Sequence, residues 1–295
     1  MPVAIPFATM ALCALLQGRR AQRWVSLAGC AALLAASVQL LAAVHDGTVI
    51  ATQFGNWPAP FGISFVADML AAAMVLITGL MGMAVGVYAL ADGAAEREMA
   101  WFHPLYHGLL LGVVGAFLTG DIFNLYVWFE IMLIASFGLL AQGGSRAQLD
   151  AGVKYVVLNL LVTTLFLLGV GFLYGMTGTL NMADLARVVP QVENQGLVRT
   201  LAVLFLLAFG AKAAVFPLFF WLPAAYHTAS APVVAIFAAL LTKVGVYAIL
   251  RVFTLPFGSV LEFVGPWLGW IAALTMVTGV LGAAAQFDVR RILSF

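Results

Sequence analysis

Charged residues are scarce in this sequence of 295 residues. Asp, Glu, Lys and Arg together make up 8% of the chain, whereas 64% of it is hydrophobic, and the mean hydropathy is +1.09. A soluble domain of this size cannot bury so much apolar surface, so the composition excludes one. It predicts an all-α polytopic membrane protein.

Cysteine is also rare. Cys13 and Cys30 lie in separate apolar segments, which favours small buried core residues over a disulfide. The sequence lacks a phosphate-binding loop, a dinucleotide fingerprint, a cysteine cluster and a catalytic-triad pattern. We therefore predict no cofactor and no metal site in this chain. The net charge of +1 gives no reason to expect nucleic acid as a partner.

The sequence is rich instead in apolar runs, and nine of them predict membrane spans. The first run is followed, not preceded, by positive charges, which is typical of a membrane helix and not of a cleavable signal peptide. Residues 180–189 have the apolar spacing of a short interfacial helix that Pro190 ends. Residues 286–295 look like a loop leading into another span, so we expect the protein to continue. The predicted spans are residues 2–17, 24–44, 63–90, 101–119, 121–141, 152–175, 198–222, 231–253 and 263–286.

Basic residues are divided unequally between the two sets of loops. One set holds eight of them and the other holds three. Because Lys and Arg are in excess on the cytoplasmic side of membranes, the richer set is predicted to be cytoplasmic and the N-terminus outside. The richer set is Arg19, Arg20, Arg23, Arg97, Arg146, Lys154, Arg290 and Arg291, and the poorer set is Arg187, Arg199 and Arg251.

One acidic residue, Glu130, lies deep in a predicted span. If that helix begins at Asp121, nine residues place the carboxyl roughly 14 Å into the membrane, close to its middle. A carboxylate there costs roughly 3 kcal/mol or more unless it has a partner, water or a proton. Asp121 itself is expected to cap the helix, and Asp68 is expected to be a snorkelling or helix-start acid.

Two lysines, Lys212 and Lys243, are predicted to lie at a similar depth on two other spans. Three ionisable groups at one depth favour a path for protons or ions. The alternative is a static Glu130–Lys212 ion pair that pins helices together, although such buried pairs stabilise poorly compared with apolar packing.

The backbone near Lys212 is expected to be irregular. Pro217 removes one helical hydrogen bond and clashes with the preceding turn, which predicts a kink just past Lys212. A kink at membrane depth is compatible with a water-filled cavity or with simple packing.

Uncharged polar residues suggest where a path could run. Tyr155, Asn159 and Thr163 follow one another at every fourth position and form one polar stripe, which could line a water path or bond neighbouring helices. His227, in a short turn between two spans, could serve proton entry or simply be solvated.

The three deep charged residues lie in the segments 120–130 (GDIFNLYVWFE), 209–223 (FGAKAAVFPLFFWLP) and 240–251 (LLTKVGVYAILR). These segments resemble the antiporter-like subunits of respiratory complex I and of the Mrp cation/proton antiporters. Two further segments, residues 56–62 (NWPAPFG) and 177–184 (TGTLNMAD), resemble the D branch of the Mrp antiporter subunits. The resemblance covers essentially the whole chain.

The resemblance implies roles for the three charged residues. In these families a glutamate on the fifth helix pairs with a lysine on the seventh, and a lysine on the eighth relays protons onward; here these are Glu130, Lys212 and Lys243. The family fold has about fourteen helices with two inverted repeats. It implies N-terminal helices in residues 1–95, the first repeat in residues 96–255 and the start of the second in residues 256–295. The family's ionisable residue on the twelfth helix has no counterpart in this sequence.

The function that the resemblance implies is a subunit of a multisubunit Na⁺ (or K⁺)/proton antiporter in a bacterial inner membrane, surrounded by lipid and by other membrane subunits. Such a chain is a transporter subunit and not an enzyme. The alternative is a proton-translocating membrane subunit of a complex I-like NADH:quinone oxidoreductase or of a membrane hydrogenase. A third hypothesis is a scaffold without transport, for which loss of Glu130 leaves transport intact.

Overall fold

The structure, a computed structural model, describes residues 2–92, 101–292 and 294–295. Arg97 and the predicted boundary between residues 95 and 96 lie outside these ranges, and so does the side chain of Arg290. The helices are α1 Ala4–Leu15, α2 Arg19–Val44, α3 Met69–Asp92, α4 Phe102–Leu118, α5 Ile122–Ala141, α6 Arg146–Thr177, α7 Met182–Val188, α8 Gln195–Ala213, α9 Trp221–Tyr226, α10 Ala231–Thr254, α11 Leu261–Ala284 and α12 Val289–Ile292. The strands are β1 Ile50–Gln53 and β2 Ser64–Ala67.

Seven of these helices are long and apolar enough to cross a membrane: α2, α3, α5, α6, α8, α10 and α11. Two shorter apolar helices, α1 and α4, occupy the first and fourth predicted spans. The predicted all-α polytopic architecture is therefore confirmed, with a span number close to nine. The short helix predicted at residues 180–189 is present as α7, and Pro190 lies in the 3₁₀ turn that follows it.

Two predicted spans differ from the structure. The third was predicted from residue 63, but Ser64–Ala67 forms a strand that pairs antiparallel with Ile50–Gln53. A charge-free apolar run does not distinguish a strand from the start of a helix, which explains the error. The seventh was predicted to continue to residue 222, but α8 ends at Ala213.

The β-hairpin brings one set of helix ends together. Phe65 bridges to Thr119, between α4 and α5, and Asp121 bridges to Asn181, the residue before α7. Asp121 caps α5 as predicted, since its carboxylate accepts a hydrogen bond from the Asn124 amide at 2.7 Å. We call this side of the molecule the hairpin end and the other side the opposite end.

The core lies where α4, α5, α6, α8 and α10 pack against one another. Four phenylalanines, Phe129, Phe166, Phe205 and Phe209, are fully buried there and join α5, α6 and α8 through ring contacts of 4.9–6.1 Å. In contrast, α11 has one fully buried residue, Val264, and lies at the edge of the bundle. Both cysteines are buried free thiols, as predicted.

Candidate functional site

Glu130 lies near the middle of α5, beside the buried phenylalanine cluster. Its side chain is half-buried, and its Oε1 atom is buried without a hydrogen-bond partner. A buried carboxylate oxygen without a donor is costly, so such a group favours a nearby water molecule, a proton or a cation.

Lys212 lies in the last turn of α8. Its ammonium donates a hydrogen bond to Oδ1 of Asn159 at 3.0 Å and stands over the ring of Phe129, 5.5 Å from the centroid. The charge of Glu130 acts on Lys212. However, neither group has an ion-pair partner within 4.0 Å among the described residues. The two residues are therefore brought near each other but do not form a direct ion pair.

The polar stripe of α6 faces the inside of the bundle. Tyr155, Asn159 and Thr163 are all buried. Asn159 donates to the Tyr155 carbonyl at 2.8 Å and accepts from Lys212. The Tyr155 hydroxyl shares a 2.7 Å hydrogen bond with Ser136 of α5. The stripe thus connects α5 to α8, whereas the Thr163 hydroxyl donates within its own helix to Leu160.

A small cavity of about 20 Å³ lies beside Lys212. Asn159, Tyr155 and Trp221 line it together with apolar side chains of α5. A cavity of this size has room for about one water molecule. The site therefore places Lys212, Asn159 and Tyr155 around a space that suits one water.

The chain leaves its helical path directly after Lys212. Ala214 has φ +55°, and helical structure resumes only at Trp221. The indole of Trp221 donates to the Ala211 carbonyl at 2.9 Å and so satisfies one of the carbonyls that the helix end exposes. The helical path was predicted to kink just past Lys212 because of Pro217. The structure has a discontinuity at that place, but it begins three residues before the proline, because a residue in the left-handed region ends the helix there.

Lys243 does not join this group. Its side chain is exposed on the surface of α10, and its ammonium donates to the Ala238 carbonyl of the same helix at 2.5 Å. Two residues further on, Gly245 lies against the backbone of Lys212 and Ala213, where a Cβ atom would collide. Lys243 is therefore close to the level of Lys212, as predicted, but faces away from it.

His227 follows α9 at the opposite end and is half-buried, with Nδ1 2.7 Å from the Pro223 carbonyl. Sequence reasoning missed three other polar residues of this end. Gln142, Tyr226 and Ser230 have buried side-chain atoms without a hydrogen-bond partner. Since they are uncharged and lie at helix ends, they give no signal in the sequence.

A second charged group, at the hairpin end, was also missed. Asp68 accepts from the Ala71 amide at 2.8 Å, which confirms a helix-start acid, and it also pairs with Arg251 of α10 through two hydrogen bonds of 2.5 and 2.8 Å. The Tyr247 hydroxyl accepts from Arg251 and donates to the Phe117 carbonyl. The hydrogen bond from Arg251 holds the pKa of Asp68 below its ordinary value, whereas burial raises that of the capping Asp121.

Comparison with known proteins identifies the family. The family model described as NADH:quinone oxidoreductase/Mrp antiporter, TM, matches residues 119–295, which is more than half of the chain. The chain belongs to this family.

Individual members of the family and their relatives match over almost the whole chain. The D subunit of the Na(+)/H(+) antiporter of Alkalihalophilus pseudofirmus is 45% identical over 296 residues, covering all of this chain and 60% of that protein. A chain in the Mrp complex from Dietzia sp. matches with TM-score 0.89 and 35% identity, over 99% of this chain and 55% of that one. A chain in the membrane-bound sulfane sulfur reductase, an archaeal respiratory membrane complex, matches with TM-score 0.91 and 29% identity. The match covers 99% of this chain and 61% of that one.

These matches confirm the antiporter-like fold and the resemblance to the D branch of the Mrp antiporter subunits that the sequence motifs predicted. The chain spans about 60% of the length of the curated relative that it matches.

Proposed function

We propose that this chain is part of a subunit of a multisubunit Na⁺/H⁺ antiporter and that Glu130 and Lys212 carry its protons. The observation that carries the proposal is the position of the Lys212 ammonium. It is held by the neutral amide of Asn159, with the Glu130 carboxylate near enough to act on it but not bonded to it. The antiporter relatives of the chain support the same function.

Glu130 and Lys212 carry opposite charges and lie near each other without a bond, so a change in the protonation of one affects the other. When Glu130 binds a proton, the Lys212 ammonium loses an attraction that is strong in a weakly polarisable interior, and its own proton leaves more readily. When Glu130 ionises again, Lys212 regains the attraction. A direct ion pair would instead hold the proton in one place.

Water and hydroxyl groups would move the proton between these residues. The cavity beside Lys212 suits one water, and the Ser136–Tyr155 hydroxyl pair lies next along the stripe. The helix discontinuity after Ala213 resembles the broken helices of other transporters, which line ion sites at membrane depth. Thr163 would continue the stripe toward the hairpin end.

The opposite end would provide the entry. Gln142, Tyr226 and Ser230 each have a buried polar atom without a partner, and bound water is the usual partner of such atoms. His227 is adjacent to Tyr226 and half-exposed, so we assign it to the mouth of this entry. The unequal distribution of basic residues supports a cytoplasmic opposite end, with the hairpin end outside a bacterial inner membrane.

Lys243 would carry protons out of this bundle. Its exposed ammonium faces away from Lys212, toward whatever membrane segment covers that surface of α10. An uncovered ammonium in lipid is costly, which supports a protein or water partner there.

The test is cation-dependent proton flux in everted vesicles that contain the whole complex. Glu130→Gln keeps the size of the side chain and removes its titration, so Na⁺/H⁺ exchange should fall to background. Glu262→Gln, at the exposed start of α11, is the matched control and should retain exchange. Normal exchange by an assembled Glu130→Gln complex would overturn the proposal.

The second candidate is a proton-translocating subunit of a redox complex. The similarity to a chain of the sulfane sulfur reductase favours it, but that identity is 29% against 45% for the antiporter relative. Neighbouring genes for iron–sulfur and flavin subunits would favour this second candidate, whereas genes for small membrane subunits would favour the antiporter.

A further inference from the structure

The chain between α8 and α9 forms a closed loop beside Lys212. Residues 214–220, here called the broken segment, join the end of α8 to the start of α9. The Trp221 indole, just after the segment, donates to the Ala211 carbonyl, just before Lys212, at 2.9 Å. The two ends of the broken segment are therefore joined to each other at the site.

A side chain of α11 holds the middle of this loop. The Phe216 amide donates to the Thr275 hydroxyl at 2.9 Å. Thr275 comes fourteen residues after Leu261, the first residue of α11, or about 21 Å along the helix axis. An amide at membrane depth without an acceptor is costly, because lipid offers none. The Thr275 hydroxyl thus satisfies a donor that the break in the helical path exposes.

The same helix carries a second threonine that lacks this role. The hydroxyls of Thr275 and Thr278 are both half-buried and both donate to a carbonyl one turn earlier in α11, at 2.6 and 2.7 Å. Within the described part of the chain, the Thr278 hydroxyl bonds carbonyls of α11 only, whereas the Thr275 hydroxyl also accepts from the broken segment. A bond within one helix does not fix a neighbouring element, so the second bond of Thr275 is the one that matters.

The Trp221 side chain connects the loop to the proposed proton path. It lines the cavity beside Lys212 together with Asn159. Its ring centroid is 5.5 Å from that of Tyr155 and 6.2 Å from that of Tyr226. Trp221 therefore contacts both the polar stripe and the proposed entry. Since the cavity has room for about one water, a small shift of this indole would change the water beside Lys212.

We propose that Thr275 is a positioning residue for the Lys212 site. Its hydroxyl fixes the middle of the broken segment, and the segment holds the Trp221 indole against the cavity. The inference rests on the proposed role of Lys212 in proton transfer. Because α11 lies at the edge of the bundle, a displacement of α11 would reach the site through this hydrogen bond.

Hydrogen–deuterium exchange of the purified, assembled complex tests whether Thr275 holds the loop. Thr275→Val keeps the size of the side chain and removes the hydroxyl, so amides of the broken segment should exchange about tenfold faster. Thr275→Ser keeps the acceptor and should restore the native rate. Thr278→Val, the matched control, should leave the segment unchanged. This measurement does not depend on which residues carry protons.

Na⁺/H⁺ exchange in everted vesicles tests whether the loop positions the site. Thr275→Val should lower the exchange rate about three- to tenfold, whereas Thr275→Ser and Thr278→Val should keep it. Trp221→Phe removes the indole donor and keeps an aromatic ring, and it should also lower exchange. Because both residues would act through one loop, the double variant Thr275→Val/Trp221→Phe should lose no more than the weaker single variant.

Three results would overturn the proposal: native amide exchange of the broken segment in Thr275→Val, equal Na⁺/H⁺ exchange by Thr275→Val and Thr278→Val, or losses that multiply in the double variant. Thr275→Ala removes the same hydroxyl and serves for these comparisons if the valine complex does not assemble. Failure of the proposed function is a separate result. Glu130→Gln would then retain Na⁺/H⁺ exchange, whatever the amides of the broken segment do.

Discussion

Two of the acid–base pairs among the described residues are arranged in very different ways. At the hairpin end, Asp68 and Arg251, here called the bonded pair, make two short hydrogen bonds, and Tyr247 also bonds Arg251. In the middle of the bundle, Glu130 and Lys212, here called the separated pair, interact only through their charges. One Glu130 oxygen is buried without a donor.

The difference indicates different roles. Proton transfer in the bonded pair would break two charge-assisted hydrogen bonds that join α3 to α10, so this pair is suited to holding helices together. In the separated pair, the two charged groups are not bonded to each other, and the cavity beside Lys212 suits a water. This pair is suited to changes of protonation. The predictions below test that division of roles.

Removing the lysine of the separated pair should have the largest effect. Lys212→Met in the whole complex should lower Na⁺/H⁺ exchange in everted vesicles about 100-fold or more, the usual scale for loss of an acid–base group. Lys212→Arg should not restore exchange, because arginine keeps its proton. Co-purification of the other subunits is the control for assembly. Exchange close to normal in the Arg variant would contradict a proton-transfer role.

Disrupting the bonded pair should affect stability more than transport. Asp68→Asn should lower the free energy of unfolding by about 1–3 kcal/mol, the scale of hydrogen bonds to charged groups. The lower half of that range is expected, because the Arg251 and Asp68 side chains are 14% and 27% exposed. Chemical denaturation of the purified complex, followed by tryptophan fluorescence, provides the measurement.

The double variant Asp68→Leu/Arg251→Met sharpens this prediction. Replacing both partners by apolar side chains leaves no unpaired charge, so stability should recover toward that of the native complex. The native exchange rate per assembled complex should be kept in both variants. A loss of exchange as large as that of Lys212→Met would show that the two pairs do not have separate roles.

Giving Lys212 a directly bonded carboxylate, as in the bonded pair, should slow Na⁺/H⁺ exchange. Asn159→Asp places a carboxylate where the amide oxygen now accepts from Lys212 at 3.0 Å. The ammonium would then be held by a charge-assisted hydrogen bond, and exchange should fall about tenfold, which corresponds to about 1.4 kcal/mol. The pH optimum should move to higher values, because the proton on Lys212 is held more tightly.

Asn159→Leu is the matched control. It removes the acceptor without adding a charge, so exchange should fall without the alkaline movement of the optimum. If the Asp and Leu variants have the same pH profile, the amide of Asn159 is only a packing element.

Both residues of the separated pair could be predicted from the sequence, because a charged residue within a long apolar run is energetically costly in a membrane and is easily recognised. Glu130 and Lys212 were found for this reason, whereas the stripe around Asn159 was found from its spacing at every fourth position. The bonded pair was not, since Asp68 and Arg251 are 183 positions apart and each lies at a helix end where a charge is inexpensive. The sequence also placed Lys243 in the group, because depth along a helix does not reveal the face on which a side chain lies.

The prediction of the fold from the sequence has the same limits. Long apolar helices were recognised, but the charge-free residues of β2 were joined to the helix that follows them, since short apolar runs do not distinguish strand from helix. The end of α8 at Ala213 depends on one residue in the left-handed region, and alanine gives no warning of that conformation.

The smallest predicted effect is the pH dependence of the bonded pair. The hydrogen bond from Arg251 lowers the pKa of Asp68 in the folded chain below its ordinary value. When the pKa of an Asp carboxyl group is lower in the folded chain than in the unfolded chain, the group stabilises the folded chain above its unfolded pKa of about 3.9. That stability is lost as the pH falls through the folded pKa. The stability difference between the native complex and Asp68→Asn should therefore be constant near neutral pH and shrink below about pH 4. Asp46→Asn, at an exposed turn where the carboxylate accepts from the Thr48 amide, should differ little from the native complex at neutral pH. A difference for Asp68→Asn that grows as the pH falls would mean that this carboxylate is not stabilised by Arg251.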